Sequence, residues 1–234
     1  MTEDKGRLIE KQVRRWVHEQ LAVQERERDG GAAATEPKHP IITVSRQSGS
    51  GGTALAGRIS ERLGFQLFDR EVIDVVSSET GVQRELLEAL DERTRSGVEQ
   101  WVAGVLHSRI MSGEDFARSL GKILVSIAHV GSAVVVGRGA NFLLADQPGF
   151  HVRFVAGLGW RIEEIRRRHG LSRAEAEIHV LRADHDRAEF IHRYLHHDID
   201  DPTAYHVVLN LELVGPNAAL ETVVGLYETA RRIT

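Results

Sequence analysis

Apolar and polar residues follow two rhythms along this chain, and the changes between them mark its elements. From residue 5 to 29 the apolar positions Leu8, Ile9, Val13, Trp16, Val17 and Leu21 recur at spacings of three and four, while Lys11, Arg14, Arg15, Glu19 and Glu25 fall on the other face. That period predicts one amphipathic helix. Gly30, Gly31, Ala32, Ala33, Ala34, Pro37 and Pro40 then predict a linker. The run Ile41-Ile42-Thr43-Val44 is short, apolar and β-branched, as in a buried strand. Helical spacing returns near Thr53, with Leu55, Ala56, Ile59 and Leu63 on one face. Phe65–Phe68 predicts a second strand, and Val72, Ile73, Val75 and Val76 a helix whose N-cap is Asp69.

The same alternation continues to the C-terminus. Residues 82–110 have a half-buried helical pattern, with Leu86, Leu87, Leu90, Trp101, Val102 and Leu106. A helix over about 114–130 leads into Ala133-Val134-Val135-Val136, the most apolar strand and therefore a central one. Phe150–Val155 predicts another strand, interrupted by Arg153. A helix begins near Gly159, a long polar helix or helix pair covers 172–195, Val207–Leu209 is a last strand, and 217–232 a closing helix. Strands alternating with helices imply βαβ units and a mostly parallel sheet.

Composition narrows the class. A chain of 234 residues, 41% hydrophobic and 27% charged, fits one medium globular domain, residues 41–234, with an added segment, residues 1–40. The net charge of −4 argues against broad nucleic-acid binding. With no cysteine there is no disulfide, thiolate metal site or cysteine nucleophile. No apolar run approaches the roughly 18 residues of a membrane span, and the charged N-terminus lacks a signal core, so the expected compartment is the cytoplasm. The apolar stripe of residues 5–29 must be covered by the chain itself, by a second copy, or by a partner.

Candidate chemistry gathers where the first strand ends. Ser48-Gly49-Ser50-Gly51-Gly52-Thr53 is a glycine-rich turn between a strand and a helix, an arrangement that aims backbone N–H groups and a helix N-terminus at an anion. The phosphate-loop pattern G-x-x-x-x-G-K-[ST] is only partly met. Aligned on Thr53, the chain has Gly52 in place of the lysine and Arg46 in place of the first glycine. A plain tight turn is the alternative reading. Gly137-Arg138-Gly139-Ala140-Asn141 forms a second loop at the same sheet edge. Arg182, Asp184, Asp186 and Arg187 share one short segment, preceded by Arg161 and Arg166 and followed by Arg193. Guanidinium groups grip phosphate oxygens in a fork and keep their charge; a solvated helix with i,i+4 ion pairs is the alternative. His192 and His196 have metal-ligand spacing but lack the glutamate of the His-Glu-x-x-His pattern.

Thr43–Thr53, Phe68–Glu71, Val136–Asn141, Arg182–Arg187 and Tyr205–Asn210, in that order, resemble the cytidylate kinase-like family of the P-loop nucleoside monophosphate kinases. The resemblance runs from residue 41 to the C-terminus. It implies a three-layer α/β/α core with a small lid, and ATP and Mg²⁺ as cofactors. Ser48, Gly49, Ser50, Gly51, Gly52 and Thr53 would hold the ATP phosphates, with the Thr53 hydroxyl on the metal. Asp69, Arg70 and Arg138 would bind the acceptor, and Arg182 and Arg187 would act from the lid. The implied reaction is phosphoryl transfer to CMP or dCMP. Because the lysine is missing, Arg46 or a lid arginine has to supply its charge. The rival expectation is a nucleotide-binding regulatory module with little catalysis, engaging a partner through residues 5–29.

Overall fold

The computed structural model describes residues 3–29, 41–78, 86, 114–145, 147 and 149–231. The expected linker and most of the helix expected at 82–110 lie outside the described residues. Helix α1 (Glu3–Asp29) is followed by β1 (Ile41–Arg46), α2 (Gly52–Leu63), β2 (Gln66–Phe68), α3 (Arg70–Ser78), α4 (Glu114–Val130) and β3 (Ala133–Val136). Then come α5 (Ala140–Leu143), β4 (Gly149–Val155), α6 (Leu158–His169), α7 (Arg173–Phe190), β5 (Val207–Asn210), α8 (Leu211–Val214) and α9 (Pro216–Arg231). A π-helical turn, Ile191–Leu195, ends α7.

The five strands lie in the order β2-β3-β1-β4-β5, and every pairing is parallel. Parallel strands need helical crossovers, so both faces of the sheet are covered. This explains why β1 and β3 read as unbroken apolar runs. Ile42 and Val44 face α2 and α9 with Val134, Val152 and Phe154. Ile41 belongs to the opposite layer with Val135, Phe68, α3 and α4. The result is a three-layer α/β/α fold.

The stripe of α1 packs into that second layer. Ile9, Val13, Trp16 and Val17 are buried there, and the Trp16 ring meets Phe68 edge-on at 5.0 Å. Leu8 is left exposed. Helices α6 and α7 form a hairpin with a core of its own, Ile162, Ile165, Ala176 and Val180. A capping box at Ser172 and Glu175 starts α7. Arg153, read as an interruption of β4, is buried within the strand. Its guanidinium is held by Ser45 at 2.9 Å, by Asp200, and by the face of the Tyr205 ring.

One buried polar pair makes the fold sensitive to acid. His151 on β4 lies opposite Thr43 on β1, with Nδ1 2.8 Å from the threonine hydroxyl. Its own backbone N–H donates to Nδ1 of His206 at 3.0 Å. Burial, and then the neighbouring His206, pull the pKa of His151 from 6.5 down to about 4. Above pH 6.5 the ring is neutral in both the folded and unfolded chains. As pH falls from 6.5 towards 4 only the unfolded chain takes up the proton, so stability drops, by about 3 kcal/mol over that window. Urea unfolding at pH 7, 5.5 and 4.5 is expected to show this loss in the wild type and a shallower one in His151→Asn. Equal slopes in the two proteins would contradict it.

Candidate functional site

The end of β1 sits at the middle of the sheet, with β3 on one side and β4 on the other, so the loop after it opens at the carboxyl edge where open α/β sheets bind ligands. Gln47 anchors that loop. Its N–H donates to Phe154 O at 3.0 Å, and its side-chain oxygen accepts from Ala156 N at 3.1 Å. Gly49 has φ +76, and a Cβ there would stand 2.5 Å from the Arg161 carbonyl oxygen, so only glycine lets the loop lie against α6. Gly51, at φ +88, is the N-cap of α2 and brings no side chain of its own to it, while Ser50 Oγ accepts from Gly52 N at 3.3 Å. The amides of Gly49, Gly51, Thr53 and Ala54 are left without an acceptor among the described residues. Converging unpaired N–H groups at a helix N-terminus are an anion cradle.

Position 52 explains the missing lysine. A Cβ on Gly52 would lie 2.8 Å from Arg46 Cβ and 2.9 Å from Phe154 Cβ. The slot is closed by atoms next to the backbone. The Arg46 side chain runs over the loop instead, with Nε donating to Thr53 Oγ1 at 3.2 Å. Its guanidinium lies against Gly137, where a Cβ would come within 2.5 Å of Nη1. Among the described residues Arg46 has no carboxylate in ion-pair range. Burial, followed by Arg187, Arg70 and Arg138, pulls its pKa below the ordinary guanidinium range to about 10, with Asp69 opposing them. It stays charged at neutral pH, and its environment favours an arriving anion.

A cavity of about 380 Å³ opens beside this loop. Arg46, Arg70, Arg138 and Arg187 line it together with Asn141, and Phe142, Phe190 and Ile191 give it an apolar side. Arg138 is held by Asp74, which Arg70 also approaches at 3.7 Å. Arg187 donates to Asp184 Oδ1 at 3.1 Å and to the Arg46 carbonyl at 3.4 Å. Burial lowers the pKa of Arg187, and Asp184 opposes the shift. Thr53 and Asp69 both line an adjoining cleft. Asp69 also caps α3, Oδ1 accepting from Val72 N at 3.0 Å, so both of its expected roles fall on one side chain.

The structure therefore brings together Arg46, the loop Ser48–Thr53, Asp69, Arg70, Arg138 and Arg187. It does not bring in Arg182, whose side chain is 82% exposed with Asp186 4.0 Å away. Helical phase is the reason. Ala176 and Val180 are buried, and Ala183, Asp184, Arg187 and Ile191 continue that face; Arg182 lies off it. Sequence reasoning gave no site role to Asp74, whereas the mixed Asp and Arg spacing of 182–187 had implied carboxylates that hold arginines in place, as Asp184 does for Arg187 and Arg161. Asp184 Oδ1 accepts from Ser48 N at 2.7 Å and Oδ2 from Arg161 Nη1 at 2.5 Å, tying the hairpin to the loop. The i,i+3 spacing of Asp184 and Arg187 on the buried face was the available signal. No group of three or more His, Asp or Glu side chains that could hold a metal occurs among the described residues, and the histidine pair at 192 and 196 forms none. No helix among them is long and apolar enough to cross a membrane.

Comparison with known proteins bears on the fold and the family. An uncharacterised protein from Eubacterium ventriosum ATCC 27560 is 19% identical, with a TM-score of 0.65, covering 82% of this chain and 99% of its own; it shares the fold. A shikimate kinase from Bacteroides thetaiotaomicron is 15% identical, with a TM-score of 0.45, covering 81% and 98%. A gluconokinase from Sinorhizobium meliloti 1021 is 15% identical, with a TM-score of 0.43, covering 85% and 98%. No curated protein matches in sequence. The model of the cytidylate kinase-like family matches residues 41–213, a span that begins with β1 and takes in the glycine loop, the arginine cavity and the α6–α7 hairpin. With its kinase-like nucleotide-binding fold, this chain belongs to the cytidylate kinase-like family.

Proposed function

We propose that the protein transfers the terminal phosphoryl group of ATP to a nucleoside monophosphate, CMP or dCMP, giving ADP and the nucleoside diphosphate. The observation that carries this reading is the unneutralised Arg46, lying across a loop whose amides at Gly49, Gly51, Thr53 and Ala54 lack acceptors. The loop holds the phosphates of ATP, and Arg46 supplies the charge that lysine brings elsewhere. Arg70, Arg138 and Arg187 receive the phosphate of the acceptor on the cavity side. Phosphoryl transfer needs positioning and positive charge more than a strong base, and the arginines are already held in place by Asp74 and Asp184. Thr53 and Asp69, which both line the adjoining cleft, fit Mg²⁺, which commonly takes one or two protein oxygens and completes its shell with water and phosphate. Bound there, the metal supplies charge neutralisation between phosphates. The test is ADP formation from ATP and Mg²⁺ in the presence of CMP, dCMP and other nucleoside monophosphates. Stimulation by CMP or dCMP above the others is expected. A folded sample that none of them stimulates would overturn the reading.

A second reading has one observation in its favour. Asp184 already occupies the Ser48 amide, so part of the loop is satisfied by the protein itself. A nucleotide-binding module with little catalysis would look like this. It would meet a partner through what the core leaves uncovered on α1, Leu8 and the charged face. Calorimetric ATP binding without turnover would favour it, and rapid turnover would exclude it.

A further inference from the structure

We propose that Asn141 reads the acceptor: its side-chain amide donates a hydrogen bond to an acceptor atom on the non-phosphate part of the incoming nucleotide. This rests on the kinase reading above and adds a specificity-determining residue to it. Asn141 lies in α5, three positions after Arg138, and lines the arginine cavity. It is only 6% exposed, and Nδ2 is buried without a hydrogen-bond partner among the described residues. The large majority of buried side-chain polar atoms in proteins are paired, so an unpaired amide nitrogen on a residue of the cavity wall marks a place whose partner arrives with a ligand. The charged part of that ligand is already provided for, because Arg70, Arg138 and Arg187 line the same cavity. A neutral amide adds little to phosphate recognition beside three guanidinium groups. It is suited to a carbonyl oxygen or ring nitrogen, which a pyrimidine base presents. Phe142, the next residue, provides an apolar surface beside it, with its own far contact made by the stacked His197 ring at 4.7 Å.

A group kept unpaired for a ligand costs the free protein stability, and this gives the test a signature that a structural asparagine would not show. Asn141→Leu keeps the branched shape and removes the donor. Its melting midpoint without ligand is expected to rise by about 2–4 °C. Calorimetry with CMP is expected to show binding weakened about tenfold, while binding of inorganic phosphate is unchanged. If the leucine variant does not fold, Asn141→Ala is measured in the same way, with the CMP and phosphate results alone deciding. Equal CMP affinity in variant and wild type would overturn the proposal. So would a parallel loss of CMP and phosphate, which would assign Asn141 to positioning the arginines. A wild type that binds CMP while the variant does so equally well would leave the kinase reading standing without this residue; a wild type that binds neither CMP nor dCMP would overturn both.

Discussion

Arg46→Met is expected to slow CMP-dependent ADP formation by about 10³-fold or more while leaving the protein at least as stable as the wild type. The rate effect follows from the part a single cation takes in phosphoryl transfer, where one arginine contributes roughly 10³–10⁵ in rate. Arg46 is hydrogen-bonded to the loop threonine, with Nε 3.2 Å from Thr53 Oγ1. The closed slot at Gly52 admits no second side chain to share its role. The stability effect has the opposite sign, and for a physical reason. Burial and three nearby guanidinium groups all work against the charge on Arg46. Removing it relieves that repulsion, whereas methionine keeps the aliphatic stem. Its carbonyl, which accepts from Arg187, is unaffected by the change. Arg46→Lys restores charge without the planar fork and is expected to fall between the two. Steady-state rates measured together with a melting curve separate these effects. A methionine variant that keeps a tenth of wild-type activity would remove Arg46 from its assigned place.

The architecture was legible in the sequence because a parallel sheet covered on both faces leaves a plain mark. Ile41–Val44 and Ala133–Val136 are continuous apolar runs, and the helices between them keep the 3.6 period. The site was legible in part. Ser48–Thr53 announces itself through glycine, but the sequence does not say that Gly52 is there for lack of space. That depends on Phe154, about a hundred residues away in β4. Arg187 and Arg182 are chemically identical and five positions apart; only the buried face of α7 tells them apart, and that face is weakly apolar because Asp184 and Arg187 are part of it. Asn141 fell within the second loop and the family-like block Val136–Asn141, but nothing in the sequence gave it a role of its own. An asparagine after a glycine-rich turn is an ordinary helix start, and its unpaired amide exists only relative to the cavity wall.

Restoring the usual phosphate-loop lysine, Gly52→Lys, is expected to inactivate and destabilise this protein, although the change completes the end of the motif. The collision is with Arg46 Cβ at 2.8 Å, Phe154 Cβ at 2.9 Å and Phe154 Cδ2 at 3.0 Å. The two Cβ atoms are fixed by the backbones of β1 and β4, so no rotamer change makes room. The start of α2 has to move away from the sheet instead. Overpacking of this kind typically costs about 1–3 kcal/mol, or roughly 2–10 °C in the melting midpoint of a domain this size. The displaced segment carries the amides of Thr53 and Ala54, and a shift of about 1 Å in positioning groups costs about 10²-fold in rate. A lysine there would also crowd the guanidinium that already serves the loop. Gly52→Ala separates the causes, because it brings the collision without the charge; it is expected to lose stability and activity much as the lysine variant does. If Gly52→Lys instead melts like the wild type and turns over faster, position 52 is an open lysine site. The loop would then be an incomplete phosphate cradle, and Arg46 would not be its substitute cation.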